Sequence, residues 1–269
     1  MSDFFKDLLF NAGIGLIAGS VATIISHPFD TIKIHIQIKK DFNFKSRTFI
    51  QNIKWFYSGV TPCIIGYSIE KSLIFGTYLT LVNNLKLDKQ NILHTFFAGL
   101  TSGLVASISI TAFEQIKTDL QLKQPISFRI SHLYKGLYYT AAREGIGFSI
   151  YFNVYNQFNN SRNNMDSNFM KHFKTALVGS LSAFLAWIPI YPIDINKSRV
   201  QSNISFSTGL IAELISTEGF RKKFSVLYRG YHIAMLRSIP FHSTCFVIFE
   251  IANDYKVLRD ESIFDEVLI

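Results

Sequence analysis

Charge is scarce in this sequence. Asp, Glu, Lys and Arg make up 17% of its 269 residues, against about a quarter in ordinary soluble domains. With 48% hydrophobic residues and a mean hydropathy of +0.21, the chain is too apolar for a soluble domain of its length, and a membrane protein is the natural expectation. Cysteine is rarer still: Cys63 and Cys245 lie far apart inside apolar segments, where thiols act as small buried hydrophobes. They form no metal-ligand spacing. There is no phosphate-binding glycine loop, and no serine or cysteine nucleophile with a base at a recognised spacing. An enzyme is therefore not expected, nor a cofactor or metal. The net charge of +8 is not gathered into one basic tract with interleaved aromatics, which argues against nucleic acid. The segment Met1 to Asp7 is too short and too acidic for a signal or transit peptide, so any address is expected to be internal.

The charges that are present fall between apolar stretches such as Leu8 to Ile25 and Leu104 to Ile110. Lys and Arg concentrate in Lys33 to Arg47, Lys117 to Arg129 and Lys197 to Lys223, which marks one positive membrane face. Anionic lipid suits such a face.

One unit occurs three times. Pro28-Phe29-Asp30-Thr31-Ile32-Lys33 with Gln37 returns as Ala112-Phe113-Glu114-Gln115-Ile116-Lys117 with Gln121, and as Pro192-Ile193-Asp194-Ile195-Asn196-Lys197 with Gln201. The copies lie about 80 residues apart, room for two spans and a connector. Upstream, Gly15 and Gly19, Gly99 and Gly103, and Gly179 and Ala183 form small-residue faces that let helix backbones approach in lipid. Downstream, Tyr57-Ser58-Gly59, Tyr134-Lys135-Gly136 and Tyr228-Arg229-Gly230 open a second span in each copy. The pattern predicts an all-α membrane protein, a single domain over 1–269 with repeats at 8–88, 89–165 and 166–269. Odd spans are predicted at 8–38, 92–123 and 171–202, and even spans at 60–85, 137–160 and 231–256. Short amphipathic helices are expected in the connectors, around Thr48 to Tyr57 and Thr208 to Thr217.

The threefold motif, followed by an aromatic-basic-glycine element, resembles the signature of the mitochondrial carrier family over nearly the whole chain. The resemblance implies six tilted helices in three pseudo-symmetric repeats around a central cavity, with short helices on the matrix side. It also implies a monomer in the mitochondrial inner membrane with both termini facing the intermembrane space, cardiolipin on the matrix side, and alternating access to a small metabolite near the midplane.

Elementary physics explains the motif. Pro28 and Pro192 interrupt the hydrogen-bond ladder and are expected to bend their helices. An acid and a base three residues apart share a helix face, and charges at such a depth need partners. Pairing between repeats, Asp30 with Lys117, Glu114 with Lys197 and Asp194 with Lys33, makes a ring that closes the matrix side, with Gln37, Gln121 and Gln201 as braces. The alternative is three local pairs that only stabilise each helix. Two departures from the family stand out. Ala112 replaces a proline, and the charged element of the even helices is reduced to Tyr78-Leu79 with Val82, Tyr155-Asn156 with Asn159, and Phe249-Glu250 with Asn253. Closure at that end then rests on aromatics and hydrogen bonds, and strict coupled exchange is in doubt.

At equivalent positions after the even-helix glycines stand Gly66, Arg143 and Arg237, then Tyr67, Glu144 and Ser238, then Glu70, Gly147 and Phe241. Arginine grips a carboxylate through paired hydrogen bonds and a carboxylate attracts ammonium, so Glu70, Arg143, Glu144 and Arg237 suit a zwitterion such as an amino acid. Pairing of Arg143 with Glu144 or a neighbouring helix for stability alone is the competing reading. Arg143-Glu144 followed by Phe148-Ser149-Ile150-Tyr151-Phe152 resembles the fourth helix of amino-acid, ornithine and carnitine carriers, and Ile69-Glu70-Lys71-Ser72 is similar to the second helix of ornithine carriers; a Glu-Lys pair also occurs in glutamate and aspartate carriers, so the sign of the substrate side chain stays open. S-adenosylmethionine carriers are the rival resemblance, and a carrier-fold scaffold that no longer transports is the alternative from another class. His27, His35 and His242 are candidates for proton linkage, or plain satisfied polar residues.

Overall fold

The computed structural model describes residues 2–38, 48–159, 168–202 and 210–238, with positions 240, 241, 244 and 248 beyond them. Among these residues the secondary structure is helical throughout, without a strand. The long helices are α1 (Ser2–Gln37), α3 (Val60–Asn84), α4 (Ile92–Leu122), α6 (Leu137–Asn159) and α7 (Asn168–Gln201); the short ones are α2 (Phe49–Phe56), α5 (Ile130–Leu133), α8 (Leu210–Ser216) and α9 (Phe220–Leu227). Residues 231–238 form a further helical segment. His242, Cys245, Phe249, Glu250 and Asn253 lie outside the described residues.

Two segments, Ile92–Leu122 and Leu177–Gln201, are long and apolar enough to cross a membrane by length and composition. At 1.5 Å per residue the 36 residues of α1 extend about 54 Å, well beyond a hydrocarbon core of about 30 Å. α1 and α7 begin earlier than the hydropathy pattern predicts, because backbone hydrogen bonding continues into polar residues after the apolar run has ended. α1 contains Pro28 and α7 contains both Pro189 and Pro192, and both run on through them. α5 and α9 are additions to the predicted matrix-side helices.

Local chemistry sets the boundaries. Thr48 and Gln51 form a reciprocal capping box at the start of α2, and the Asn91 side chain accepts from the backbone of Leu93 and His94 at the start of α4. Gly59, Gly136 and Gly230 all adopt left-handed backbone, with φ of 80°, 79° and 80°. Each lies against the next long helix in cyclic order. A Cβ on Gly59 would lie 2.9 Å from the Lys117 carbonyl of α4, one on Gly136 3.3 Å from Gln201 of α7, and one on Gly230 3.2 Å from Ile36 of α1. The same corner geometry, used three times in rotation, ties the elements into a closed cycle.

Around that cycle α1 packs on α3, α3 on α4, α4 on α6 and α6 on α7, while α1 also meets α7. Close approach of α4 and α6 rests on small residues: Gly99 abuts the backbone of Phe148 and Ser149, and Gly103 that of Glu144. Gly179 meets the Tyr151 hydroxyl, whereas Gly19 meets no described atom within 4 Å. The burial pattern is reversed relative to a soluble protein. Ile17, Leu93, Phe97, Ile108, Leu177 and Phe184 are exposed, while His27, Asp30, Gln37, Glu114, Asp194 and Lys197 are buried. A lipid environment solvates the first set and leaves the second to be satisfied internally.

Replacing Gly59 by alanine forces a left-handed L-residue against the Lys117 carbonyl. The expected cost is about 1–3 kcal/mol, read as a lower melting temperature of the detergent-solubilised protein. Gly76→Ala, where a Cβ meets nothing within 4 Å, is expected to leave that temperature level or raise it.

Candidate functional site

The three repeated motifs bring their charges together where α1, α4 and α7 converge. Lys117 Nζ of α4 donates to Asp30 Oδ2 of α1 at 3.0 Å, Lys33 Nζ of α1 lies 2.6 Å from Asp194 Oδ2 of α7, and Lys197 of α7 bonds Glu114 of α4. Every pair joins two repeats. The local alternative, with each acid bound to the base three residues on, is not the arrangement adopted. All six side chains are nearly enclosed. Lys33 also rests 4.6 Å from the centre of the Trp187 ring, a cation–π contact that further shields its charge.

The three glutamines act differently from one another. Gln37 Nε2 donates to Asp194 Oδ2 at 2.9 Å, and its Oε1 accepts from Ser198 at 2.7 Å, so it touches the ring directly. Gln121 donates to Thr31 Oγ1 at 3.1 Å, next to Asp30 in the chain, and Gln201 reaches the Lys135 carbonyl at 3.4 Å.

Arg143 of α6 joins the ring instead of standing apart from it. Its Nη1 donates to Asp194 at 3.1 Å, its Nη2 to Glu114 at 2.9 Å, and its Nε to Glu144 at 2.8 Å. One guanidinium thus links three carboxylates from three helices, a task its planar fork of donors suits. Arg237 Nε lies 3.3 Å from Asp30 Oδ1. The angle is too poor for a hydrogen bond, leaving that N–H buried without a partner, so the contact is one of charge alone. Glu70 is sealed on α3 and bonded to Lys71 at 2.8 Å. The four residues expected to hold cargo therefore fall into two groups: Arg143, Glu144 and Arg237 on the ring, and Glu70 apart with Lys71.

The ring has an outer girdle that the motif reading missed. Glu213 of α8 accepts from Arg199 at 2.7 Å and from Arg229 at 2.8 Å, fastening α7, a short helix and the third left-handed corner together. In the middle repeat the polarity is inverted. Asp119 occupies the register of His35 and Arg199, is fully buried, and contacts His132 of α5 at 2.8 Å and Gln115 at 2.9 Å. That change of sign between copies was visible in the sequence. His27 shares a 2.9 Å hydrogen bond with the Ser58 carbonyl, and His35 one of 2.8 Å with that of Thr31.

His27, Asp30 and Cys63 hold three ligand-type atoms within 4.8 Å of one another. A resident cation does not fit there, because the Asp30 carboxylate already faces Lys117 and Arg237, whose charges repel a third. At the other end of α3 and α6 the contacts are neutral: Asn156 Nδ2 donates to the Tyr78 hydroxyl at 2.8 Å, and Tyr78 stacks on Phe152 at 3.7 Å between ring centres.

The sequence model of the mitochondrial carrier protein family matches residues 6–89 and 168–259, well over half of the chain. The chain belongs to the mitochondrial carrier family. The carrier is 27% identical to mitochondrial ornithine transporter 1 of Schizosaccharomyces pombe, covering 90% of this chain and 91% of the relative. It is 24% identical to the human mitochondrial basic amino acids transporter, over 90% and 88%. To the mitochondrial arginine transporter of Arabidopsis thaliana it is 25% identical, over 87% of each.

In this carrier Asp194 is the most connected acid of the ring, held by Lys33, Arg143 and Gln37 together. Asp194→Asn leaves two buried cations short of a counter-charge. Breaking a buried pair from one side costs about 3–5 kcal/mol, so the variant is expected to melt well below the parent in detergent. Gln37→Ala removes hydrogen bonds only and is expected to cost about 1–3 kcal/mol, a smaller drop in the same assay.

Proposed function

We propose that the protein carries a cationic or zwitterionic amino acid of the ornithine and arginine class across the mitochondrial inner membrane by alternating access. The observation that carries this reading is a buried carboxylate on α3, Glu70, and another on α6, Glu144, with Arg143 and Arg237 nearby on the ring. Such a set offers arginine to an α-carboxylate and carboxylates to ammonium groups. The names of the three relatives support the same class. Six spans in three repeats, with the termini in the intermembrane space, belong to this reading. So do a monomeric unit and cardiolipin at the matrix side, where exposed Phe49, Ile50, Ile130 and Phe220 sit beside Lys54, Arg129 and Arg221.

Cargo and gate meet at Arg143. A substrate carboxylate that binds this guanidinium competes with Glu114 and Asp194 and thereby loosens the bonds by which Arg143 ties α6 to α4 and α7. Buried pairs return only part of their desolvation cost. If each is worth on the order of 1 kcal/mol net, modest differential binding is enough to shift the population toward the open ring. The ring in this reading is the matrix gate, Gln37, Gln121 and Gln201 brace it, and Pro28 and Pro192 shape the helices that form it.

Reconstitution into liposomes with labelled ornithine, arginine, S-adenosylmethionine and nucleotides tests the substrate class. Uptake of ornithine and arginine that is lost in Arg143→Ala is the expected result; uptake of nucleotides alone would discard the class. A scaffold without transport is the second reading, motivated by the neutral contacts of Tyr78 and Asn156. The parent protein in the same liposomes separates the two: uptake of a labelled substrate supports the carrier, and no uptake across the panel supports the scaffold.

A further inference from the structure

Glu70 sits in the first half of α3 with a side chain only 4% exposed, and its ion-pair partner is its own neighbour, Lys71, at 2.8 Å. Adjacent residues on a helix point about 100° apart, so a lysine that folds back onto the preceding glutamate is held there by attraction rather than by register. The same ammonium lies 4.8 Å from the centre of the Phe148 ring on α6. A carboxylate beside an aromatic face is the chemistry of an alkylammonium or guanidinium site. The Lys71 side chain is 45% exposed, so it has room to leave.

We propose that Lys71 is a built-in competitor which occupies the cation-binding place of Glu70, against the Phe148 ring, when the carrier is empty. The proposal rests on the amino-acid reading above and adds a residue that sets selectivity. With Lys71 in place the Glu70 carboxylate is never left bare in apolar surroundings. An arriving side-chain ammonium displaces it, and a zwitterion without a distal cation gains nothing from the exchange.

Proteoliposome kinetics on the parent, Lys71→Met and Lys71→Arg test this with ornithine as substrate and norvaline, which lacks the distal ammonium, as competing inhibitor. Lys71→Met is expected to lower the KM for ornithine roughly threefold to tenfold, the scale of one removed charge-assisted, cation–π competitor. It is expected to leave the inhibition constant of norvaline unchanged, and Lys71→Arg to return KM toward the parent value. An unchanged or raised KM for ornithine, or equal shifts for both compounds, overturns the proposal. Should Lys71→Met fail to fold, Lys71→Gln carries the same comparison. If no form moves an amino acid, the transport reading falls, and thermal stabilisation by butylammonium decides the competitor separately. Greater stabilisation of Lys71→Met than of the parent supports it, and equal or lesser stabilisation overturns it.

Discussion

A charge placed deep among helices that face hydrocarbon must find an opposite charge or water, and in this chain each acid of the threefold motif finds a lysine of another repeat. Asp30, Glu114 and Asp194 each take a lysine from a neighbouring copy of the same unit. Local pairing within one motif would satisfy the same charges while leaving the three copies independent. Pairing across copies makes the ends of α1, α4 and α7 one object, and much of the remaining architecture serves to hold those ends in register. The left-handed glycines press each corner onto the next long helix, and Glu213 clamps Arg199 and Arg229 around the outside.

In the proposed mechanism Arg143 makes this structural ring a responsive one. Its guanidinium donates to Glu114, Glu144 and Asp194, and in that mechanism a substrate carboxylate competes for these donors. The ring is electrostatic, while among the described residues α3 and α6 meet at their far ends through a tyrosine, a phenylalanine and an asparagine without charge. The two ends therefore differ in kind. One is electrostatic and costly to leave half-broken; the other is made of neutral contacts that give way individually at a cost of about 1 kcal/mol each.

Much of this was legible from the sequence because the motifs recur in fixed register. The acid, base and glutamine offsets, the Tyr-x-Gly corners and the helix pairs needed only counting. Hydropathy and the motif register located the long helices and the starts of α3, α4 and α6, but not those of α1 and α7, since Ser2 and Asn168 begin helices in polar stretches that hydropathy excludes. Pairing of Arg143 with Glu144 or a neighbouring helix was open in the sequence as the competing reading; which acids of α4 and α7 complete its fork was not legible, because nothing in the order of residues brings those helices to it. The inverted pair of Asp119 and His132 was legible in principle: the repeat alignment places an acid where the other copies carry His35 and Arg199. Glu213 left a weaker signal, an isolated acid in a basic connector. The return of Lys71 onto Glu70 runs against helical spacing, so periodicity could not have suggested it.

The dependence of the fold on cross-repeat charge pairing is open to one direct measurement, a double-mutant cycle on Asp30 and Lys117 read by thermal stability in detergent. Asp30→Asn and Lys117→Met are each expected to destabilise strongly, and the double variant to lose clearly less than their sum, with a coupling of about 1–3 kcal/mol. Additive losses would mean that the two charges do not depend on each other, and the ring would then be a coincidence of neighbouring side chains.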